Sequence, residues 1–316
     1  GLTSVWLPQT VTSIGPSAFA DCGSLAEMTI PNNVTNIAEY AFERCASLTS
    51  VAIPDSVTTL GASAFSGCGS LTNVTIPNRL STLAALTFAQ CSGLTTVTIP
   101  EGVTGIESWA FTDCTNLARV AIPTSVTNIG DGIFYGCARL RDAAIPAGVT
   151  SLGTCVFWGC SNLTSAVIPD HTTTIPNSTF FDCASLTNVT IPDSVTSIED
   201  AAFYLCVSLT NLSIPTGVTN IGGHALCGCT GLTSVTIPAG VTTISPGVVQ
   251  SCSNLTSVTL PDGATRIEDL AFSGCSSLNR IAIPRGVTAI GFCAFESCAS
   301  LTTVTIPDAV TNIGEM

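Results

Sequence analysis

A leucine recurs at a fixed step of 23 residues along the whole chain of 316 residues, without an insertion or deletion. Proline, cysteine and phenylalanine keep the same step in registers of their own. The leucines are Leu2, Leu25, Leu48, Leu71, Leu94, Leu117, Leu140, Leu163, Leu186, Leu209, Leu232, Leu255, Leu278 and Leu301. A repeat this short cannot bury its apolar face alone, so neighbouring repeats must stack. We therefore expect one solenoid over residues 1–316, with thirteen full repeats, a partial fourteenth and no separate caps.

The consensus unit reads L-T-S-V-T-I-P-x-x-V-T-x-I-G-x-x-A-F-x-x-C-x-x. Val235 and Ile237 flank one polar residue, which is the alternation of a strand with one buried face. Proline then ends the strand because it has no N–H to donate. The segment G-x-x-A-F-x-x-C predicts one or two helical turns, and acidic residues at its start, such as Asp131, Asp200 and Asp269, suit a helix N-terminus. Each coil of the predicted right-handed α/β solenoid thus has one short parallel strand and one short helical turn.

The pattern L-x-x-V-x-I-P-x-x-V-x-x-I-x-x-x-A-F-x-x-C resembles the BspA-like, Treponema pallidum-type leucine-rich repeat over the whole chain. This resemblance implies a leucine-rich-repeat horseshoe or gently curved solenoid. It also implies a surface protein of bacteria or of some protists, used for adhesion to host or neighbouring cells. The family has no shared catalytic residues to carry over. Because Gly1 leads straight into a repeat and Met316 stops partway through one, we expect a fragment of a longer protein or a chain capped by neighbours.

Charge is scarce and mostly negative. Only 9% of the residues are charged, and 8 arginines with no lysine face 21 acidic residues, for a net charge of −13. Nucleic-acid and anionic-membrane binding both need clustered basic residues, so neither partner is expected. The apolar runs are only a few residues long, which is too short to insert into a bilayer.

Thirteen of the sixteen cysteines share one interior register. Stacked Cβ atoms would lie ~4.8 Å apart, beyond the ~3.5–4.5 Å of a disulfide, which predicts a ladder of reduced, packed thiols. Cys155, Cys227 and Cys293 lie off this register and are either reactive thiols or tolerated small residues.

Catalytic and metal-binding constellations are not apparent in the sequence. His171 and His224 occupy different registers in non-adjacent repeats, and no Ser–His–Asp or Cys–His arrangement can be assembled. Asp170 and Asp193 share a register in adjacent coils, where repelling solvated carboxylates are favoured over a weak cation site. We expect no enzyme, no cofactor and no metal site.

The register that follows the core phenylalanine holds an aromatic residue in four consecutive repeats. These residues are Tyr135, Trp158, Phe181 and Tyr204, and Leu205 lies beside them. Stacked coils would place the four rings in a row ~14 Å long. A contiguous aromatic patch often marks an interface. The alternatives are rings that pack on one another and rings that stack on a sugar.

Three of the eight arginines lie close together in the same part of the chain. Arg119 and Asp142 share a strand register in adjacent coils, so we expect them to pair. Arg139 and Arg141 lie beside them, which makes an anion-binding patch a further hypothesis. We assign these arginines, with the aromatic residues, to a partner-binding surface.

Together these features favour a non-enzymatic protein-binding or adhesion module of a cell-surface leucine-rich-repeat protein, with a protein or a glycan as partner. The alternative is a rigid structural or scaffold subunit of a larger assembly inside the cell. The cysteines do not decide between the compartments, because a buried thiol is safe in either.

Overall fold

The computed structural model describes residues 1–315, which form two compact units. Unit 1 is Gly1–Leu163, and unit 2 begins at Thr164. Within each unit the strands pair in parallel at a step of 23 residues, as Val5 pairs with Met28. The predicted parallel-strand leucine-rich solenoid is therefore confirmed in each unit, while one domain over residues 1–316 stays a prediction.

Most coils carry a longer strand after the repeat leucine, of three residues except in Arg280–Ile281, and a two-residue strand after the proline turn. In unit 1 the longer strands are Ser4–Trp6, Glu27–Thr29, Ser50–Ala52, Asn73–Thr75, Thr96–Thr98 and Arg119–Ala121. Its shorter strands are Ser13–Ile14, Asn36–Ile37, Thr59–Leu60, Thr82–Leu83, Gly105–Ile106 and Asn128–Ile129. In unit 2 the first type comprises Ser165–Val167, Asn188–Thr190, Ser234–Thr236, Ser257–Thr259 and Arg280–Ile281. The second type comprises Thr174–Ile175, Ser197–Ile198, Asn220–Ile221, Thr243–Ile244, Arg266–Ile267, Ala289–Ile290 and Asn312–Ile313.

The core consists of like side chains stacked from coil to coil. The middle residue of the longer strand is buried between exposed neighbours, as Val51 is in Ser50–Ala52. In unit 1 the rings from Phe19 to Phe157 stack in consecutive pairs, with centroids 5.1–6.0 Å apart and planes within 23° of parallel. Each such pair adds ~0.5–1.5 kcal/mol beyond the burial of its area.

The predicted helical turn is wrong: the G-x-x-A-F-x-x-C segments are successions of turns, and no helix occurs in residues 1–315. Two residues per coil, four positions apart, adopt left-handed backbone, as Trp109 (φ 63°) and Asp113 (φ 56°) do. The N–H groups of Trp109, Phe111 and Asp113 donate to carbonyls of the next coil at 2.7–3.0 Å, while those of Thr112 and Cys114 donate three residues back. An α-helix would keep these bonds within one segment, whereas here alternate N–H groups join the coils.

The acidic residues expected at a helix N-terminus have a different role. Oδ1 of Asp131 accepts the backbone N–H of Thr154 at 2.7 Å and its hydroxyl at 3.0 Å. Oδ1 of Asp200 likewise accepts the N–H of Gly223 at 2.6 Å. These carboxylates therefore tie their own coils to the next one.

Candidate binding surface

The turn segments carry side chains that point away from the core. The register after the core phenylalanine lies just before the second left-handed residue of each coil. In unit 1 the N–H of Tyr135 donates to the carbonyl of Gly132, and the N–H of Gly136 donates to the carbonyl of Trp158 in the next coil. The side chains of Tyr135 and Trp158 are therefore held one coil apart by backbone bonds.

Three aromatic residues of unit 1 are in contact and form what we call the unit 1 cluster: Trp109, Tyr135 and Trp158. The rings of Trp109 and Tyr135 meet edge to face, with centroids 5.7 Å apart at 66°. Those of Tyr135 and Trp158 are 5.5 Å apart and tilted by 35°. All three side chains are half-buried, so the cluster keeps part of its surface in solvent.

Trp109 joins this cluster from a different register, which is why the sequence pattern missed it. It lies at the first left-handed position of its coil, and Gly132 occupies that position in the next coil. A Cβ added at Gly132 would lie 2.1 Å from Cζ3 of Trp109, so the indole occupies the space above the glycine. A bulky residue followed by glycine 23 residues later is the sequence signal that would have found it.

Unit 2 has an aromatic pair, Phe181 and Tyr204, whose rings stack with centroids 4.5 Å apart and planes 8° from parallel. Both side chains are half-buried. Leu205 and Val207 beside them are 36% and 38% exposed. Leu205 is left-handed and lies over Gly228, where an added Cβ would come within 2.6 Å of its Cδ2. The pair thus has an exposed apolar border.

Cys227 lies beside Tyr204 and belongs to the packing of unit 2. Its side chain is buried, and burial raises the pKa of its thiol to about 11. The adjoining Cys227, together with burial, raises the pKa of the Tyr204 hydroxyl. These shifts keep both groups protonated at neutral pH, so this thiol is a small packing residue rather than a nucleophile.

The three predicted arginines line one groove of unit 1. Arg119, Arg139 and Arg141 are exposed around a volume of about 610 Å³. The remaining lining residues are small or neutral: Thr95, Asn116, Ala118 and Asn162. We call this the arginine groove.

The expected side-chain pair between Arg119 and Asp142 is not formed. The two residues pair through a parallel backbone bridge. Within residues 1–315, however, the ion pairs with N···O at or below 4.0 Å are Arg44 with Asp21 and Arg266 with Glu268. The guanidinium groups of the arginine groove therefore face solvent without a carboxylate partner.

The cysteine ladder is a hydrogen-bonded part of the core. The thiol of Cys137 donates to the carbonyl of Phe111 at 3.2 Å, and that of Cys160 donates to the carbonyl of Phe134 at 3.2 Å. The same bond, from a thiol to the carbonyl 26 residues back, recurs along both units. Burial raises the pKa of Cys114 to about 12. The ladder is thus chemically quiet, as reduced packed thiols should be.

Other candidate chemistry stays dispersed. His171 is exposed, and the imidazole of His224 lies over Gly247 in the next coil of unit 2. In the described part of the chain, no group of three or more His, Cys, Asp or Glu residues is placed to hold a metal ion. The same residues contain no helix that is long and apolar enough to span a membrane.

The chain is similar to leucine-rich repeat proteins. The model of the BspA-type leucine-rich repeat region matches residues 1–117, 82–210 and 196–316. A leucine-rich repeat protein from Bacteroides ovatus is 30% identical over 98% of this chain and 82% of its own, with a TM-score of 0.80. A leucine-rich cell surface protein from Faecalibacterium prausnitzii is 28% identical over 99% and 88%, with a TM-score of 0.64. The pneumococcal vaccine antigen PcpA shares the fold at 22% identity over 99% and 79%, with a TM-score of 0.58. No curated protein matches the sequence.

Proposed function

The chain belongs to the BspA-type leucine-rich repeat family, and from this premise we propose that it is a non-enzymatic binding or adhesion module of a cell-surface protein. The similarity to the leucine-rich cell surface protein of Faecalibacterium prausnitzii supports a location outside the cell. Its partner is a protein that docks on outward side chains of the turn segments and of the strand face.

The contact between partly exposed aromatic rings carries this proposal. In the unit 1 cluster, Tyr135 contacts both Trp109 and Trp158 while all three remain half-buried. In unit 2, Phe181 and Tyr204 stack beside exposed Leu205. Mutual packing holds these rings in fixed orientations, so little side-chain entropy is lost when a partner covers them.

Rigid aromatic side chains are the residues that most often dominate protein interfaces. Trp and Tyr are enriched among positions whose truncation costs at least ~2 kcal/mol of binding free energy, which is about a thirtyfold change in Kd. Packing of the rings on one another and docking of a partner are therefore compatible in this protein. Rings that only pack on one another and rings on which a partner docks are distinguished by whether removal of a ring weakens partner binding.

The test begins with cross-linking mass spectrometry on the protein from its native source, which identifies the partner and the contacted residues. Binding of that partner is then measured for Trp158→Ser and for Phe181→Ser. Each variant is expected to weaken binding about thirtyfold while the far-UV circular dichroism spectrum is unchanged.

Matched controls come from exposed aromatic residues outside the two aromatic groups. Trp6 is 78% exposed and Phe292 is 50% exposed. Trp6→Ser and Phe292→Ser are expected to leave the affinity within about twofold, as is usual for residues outside the hot spot. Equal affinities for all four variants and the parent protein would eliminate the aromatic surface as the binding site.

A glycan partner would use the same rings by stacking a sugar on them. A glycan array separates this alternative, because a sugar ligand would be captured without any protein and lost in Trp158→Ser. Binding to a protein ligand, without binding to any sugar of the array, supports the protein partner.

A rigid scaffold subunit is the second candidate function, and the regular hydrogen bonding between coils favours it. Threonine hydroxyls repeat one bond along unit 1, as Thr58 to the carbonyl of Thr35 and Thr127 to that of Thr104. Such a subunit would be cross-linked to its neighbours at fixed stoichiometry and away from the aromatic rings, and this outcome would favour the scaffold over the adhesion module.

A further inference from the structure

We propose that the arginine groove of unit 1 binds a tetrahedral oxyanion, a sulfate or phosphate group, carried by the partner. This inference rests on the proposed function, because it names the chemistry of one contact that the binding module makes. It concerns Arg119, Arg139 and Arg141, which line a single groove.

The distribution of charge favours an anion at this groove. The chain has 8 basic residues against 21 acidic ones, yet three arginines converge on this groove. No carboxylate oxygen in residues 1–315 lies within 4.0 Å of any of the three guanidinium groups. The backbone bridge places one carboxylate, that of Asp142, beside three guanidinium groups, so positive charge is in excess at the groove. Like charges held together without counter-ions oppose folding, and a bound anion relieves that repulsion.

The repeat explains how three arginines reach one place. Arg139 lies between Asn116 and Asn162, which occupy its register one coil before and one coil after. Arg141 follows Arg139 by two residues, and its N–H donates to the carbonyl of Ala118 in the preceding coil. Arg119 is the next residue after Ala118, so the arginines border the groove from two adjacent coils.

The shape and the donors select a tetrahedral oxyanion. A guanidinium group is a planar fork of N–H donors that matches pairs of sulfate or phosphate oxygens. A carboxylate presents two oxygens in one plane, whereas a tetrahedral anion presents oxygens outside one plane and can accept from all three guanidinium groups that line the groove. The volume of about 610 Å³ lies within the ~300–1,000 Å³ of small-molecule sites and exceeds a single anion. It therefore has room for the group to which the anion is attached.

Asp142 is the charged residue that opposes this binding. It pairs with Arg119 through the backbone bridge, which places the two side chains on the same face of adjacent coils. Its carboxylate competes with an incoming anion for Arg119. Removal of this charge is therefore expected to strengthen anion binding, an effect that damage to the fold cannot produce.

The experiment measures binding by isothermal titration calorimetry at constant ionic strength, with the purified chain. The probes are inorganic sulfate, inorganic phosphate and a heparin-derived tetrasaccharide, with the desulfated tetrasaccharide as the ligand control. The double variant Arg139→Gln with Arg141→Gln is compared with Arg79→Gln with Arg285→Gln, which removes the same charge from exposed arginines outside the groove.

The expected result is a Kd for the sulfated tetrasaccharide that rises at least tenfold in the groove variant and changes less than twofold in the control variant. Asp142→Asn should lower the Kd about threefold. Binding of the tetrasaccharide supports an oxyanion that a larger partner carries. Binding of the inorganic ions without the tetrasaccharide would overturn the attachment of the oxyanion to a partner.

Equal losses in the groove and control variants would overturn the proposal, because they would show attraction to net charge only. No binding of any probe, or equal binding of the sulfated and desulfated tetrasaccharides, would overturn it as well. The Trp158→Ser variant keeps this test separate from the proposed function. This variant should retain the affinity for the tetrasaccharide. A negative result for the arginine groove therefore does not count against the aromatic surface of the proposed function.

Discussion

Substitution of Gly132 by alanine is expected to destabilise unit 1 through the displacement of the Trp109 ring. Gly132 has φ +54°, and a Cβ there would lie 2.1 Å from Cζ3 and 2.2 Å from Cε3 of the indole. No side chain fits at these distances, so the ring must leave its position over the glycine. The edge-to-face contact with Tyr135, at 5.7 Å, is then lost.

The magnitude follows from two contributions. Placing a Cβ on a left-handed residue costs ~1–2 kcal/mol, partly offset by ~0.4–1 kcal/mol because alanine restricts the unfolded chain. Loss of the aromatic contact adds ~0.5–1.5 kcal/mol. Gly159 isolates the first contribution, because it has φ +72° and a Cβ there would meet nothing closer than Cα of Gly136 at 3.6 Å. We expect Gly132→Ala to cost ~0.5–1.5 kcal/mol more than Gly159→Ala.

The assay is urea unfolding followed by far-UV circular dichroism, with near-UV circular dichroism as a readout of the coupled rings. A double-mutant cycle adds Trp109→Ala, in which Gly132→Ala should cost no more than Gly159→Ala, because no ring remains to be displaced. Equal costs of Gly132→Ala and Gly159→Ala in the parent protein would show that the indole of Trp109 does not occupy the space above Gly132.

Three further perturbations test other parts of the fold. Phe134→Ala should lower the free energy of unfolding by ~3–5 kcal/mol in urea titrations, because its fully buried ring stacks between two others. Phe134→Leu should cost less than half as much, since Leu226 fills the same register in unit 2, and equal costs would contradict the stacking account. Asp131→Ala should lose ~1 kcal/mol by the same assay because it leaves the N–H of Thr154 without its partner, whereas Asp131→Asn keeps the Oδ1 acceptor and should be nearly neutral. Burial raises the pKa of the Cys114 thiol to about 12. The stability that the uncharged thiol contributes is therefore complete below about pH 8.5 and is lost as the pH rises toward 12. Scanning calorimetry under reducing conditions should show a Tm that falls above about pH 8.5 and falls less in Cys114→Ala; a Tm unchanged to pH 10.5 would count against buried thiols.

The candidate surface was only partly predictable from the repeat. The register alone identified Tyr135, Trp158, Phe181 and Tyr204, because it showed where aromatic residues replace small and polar ones. Trp109 was not predicted because it belongs to another register. Its ring reaches Tyr135 only because the next coil has a glycine, Gly132, beneath it.

The arginines were likewise predictable in their grouping and not in their side-chain pairing. Their positions predicted that they would lie together, and the structure places Arg119, Arg139 and Arg141 around one groove. A shared register with Asp142 did not predict the side-chain outcome. The backbone bridge forms, but the ion pair does not, because flexible exposed side chains gain little from pairing in water.

The strict 23-residue period determined by itself which residues stack, that the strands are parallel, and which side chains form the core ladders. With a constant period, only one register stacks the leucines, phenylalanines and cysteines of successive coils on residues of the same type. The conformation of the turn segment was decided only by the tertiary structure. A helical turn and the observed turns both point alanine and phenylalanine inward, so the sequence pattern cannot separate them. Only the neighbouring coil offers carbonyls to alternate N–H groups, such as those of Phe111 and Asp113, and thereby makes the left-handed turns the better-bonded choice.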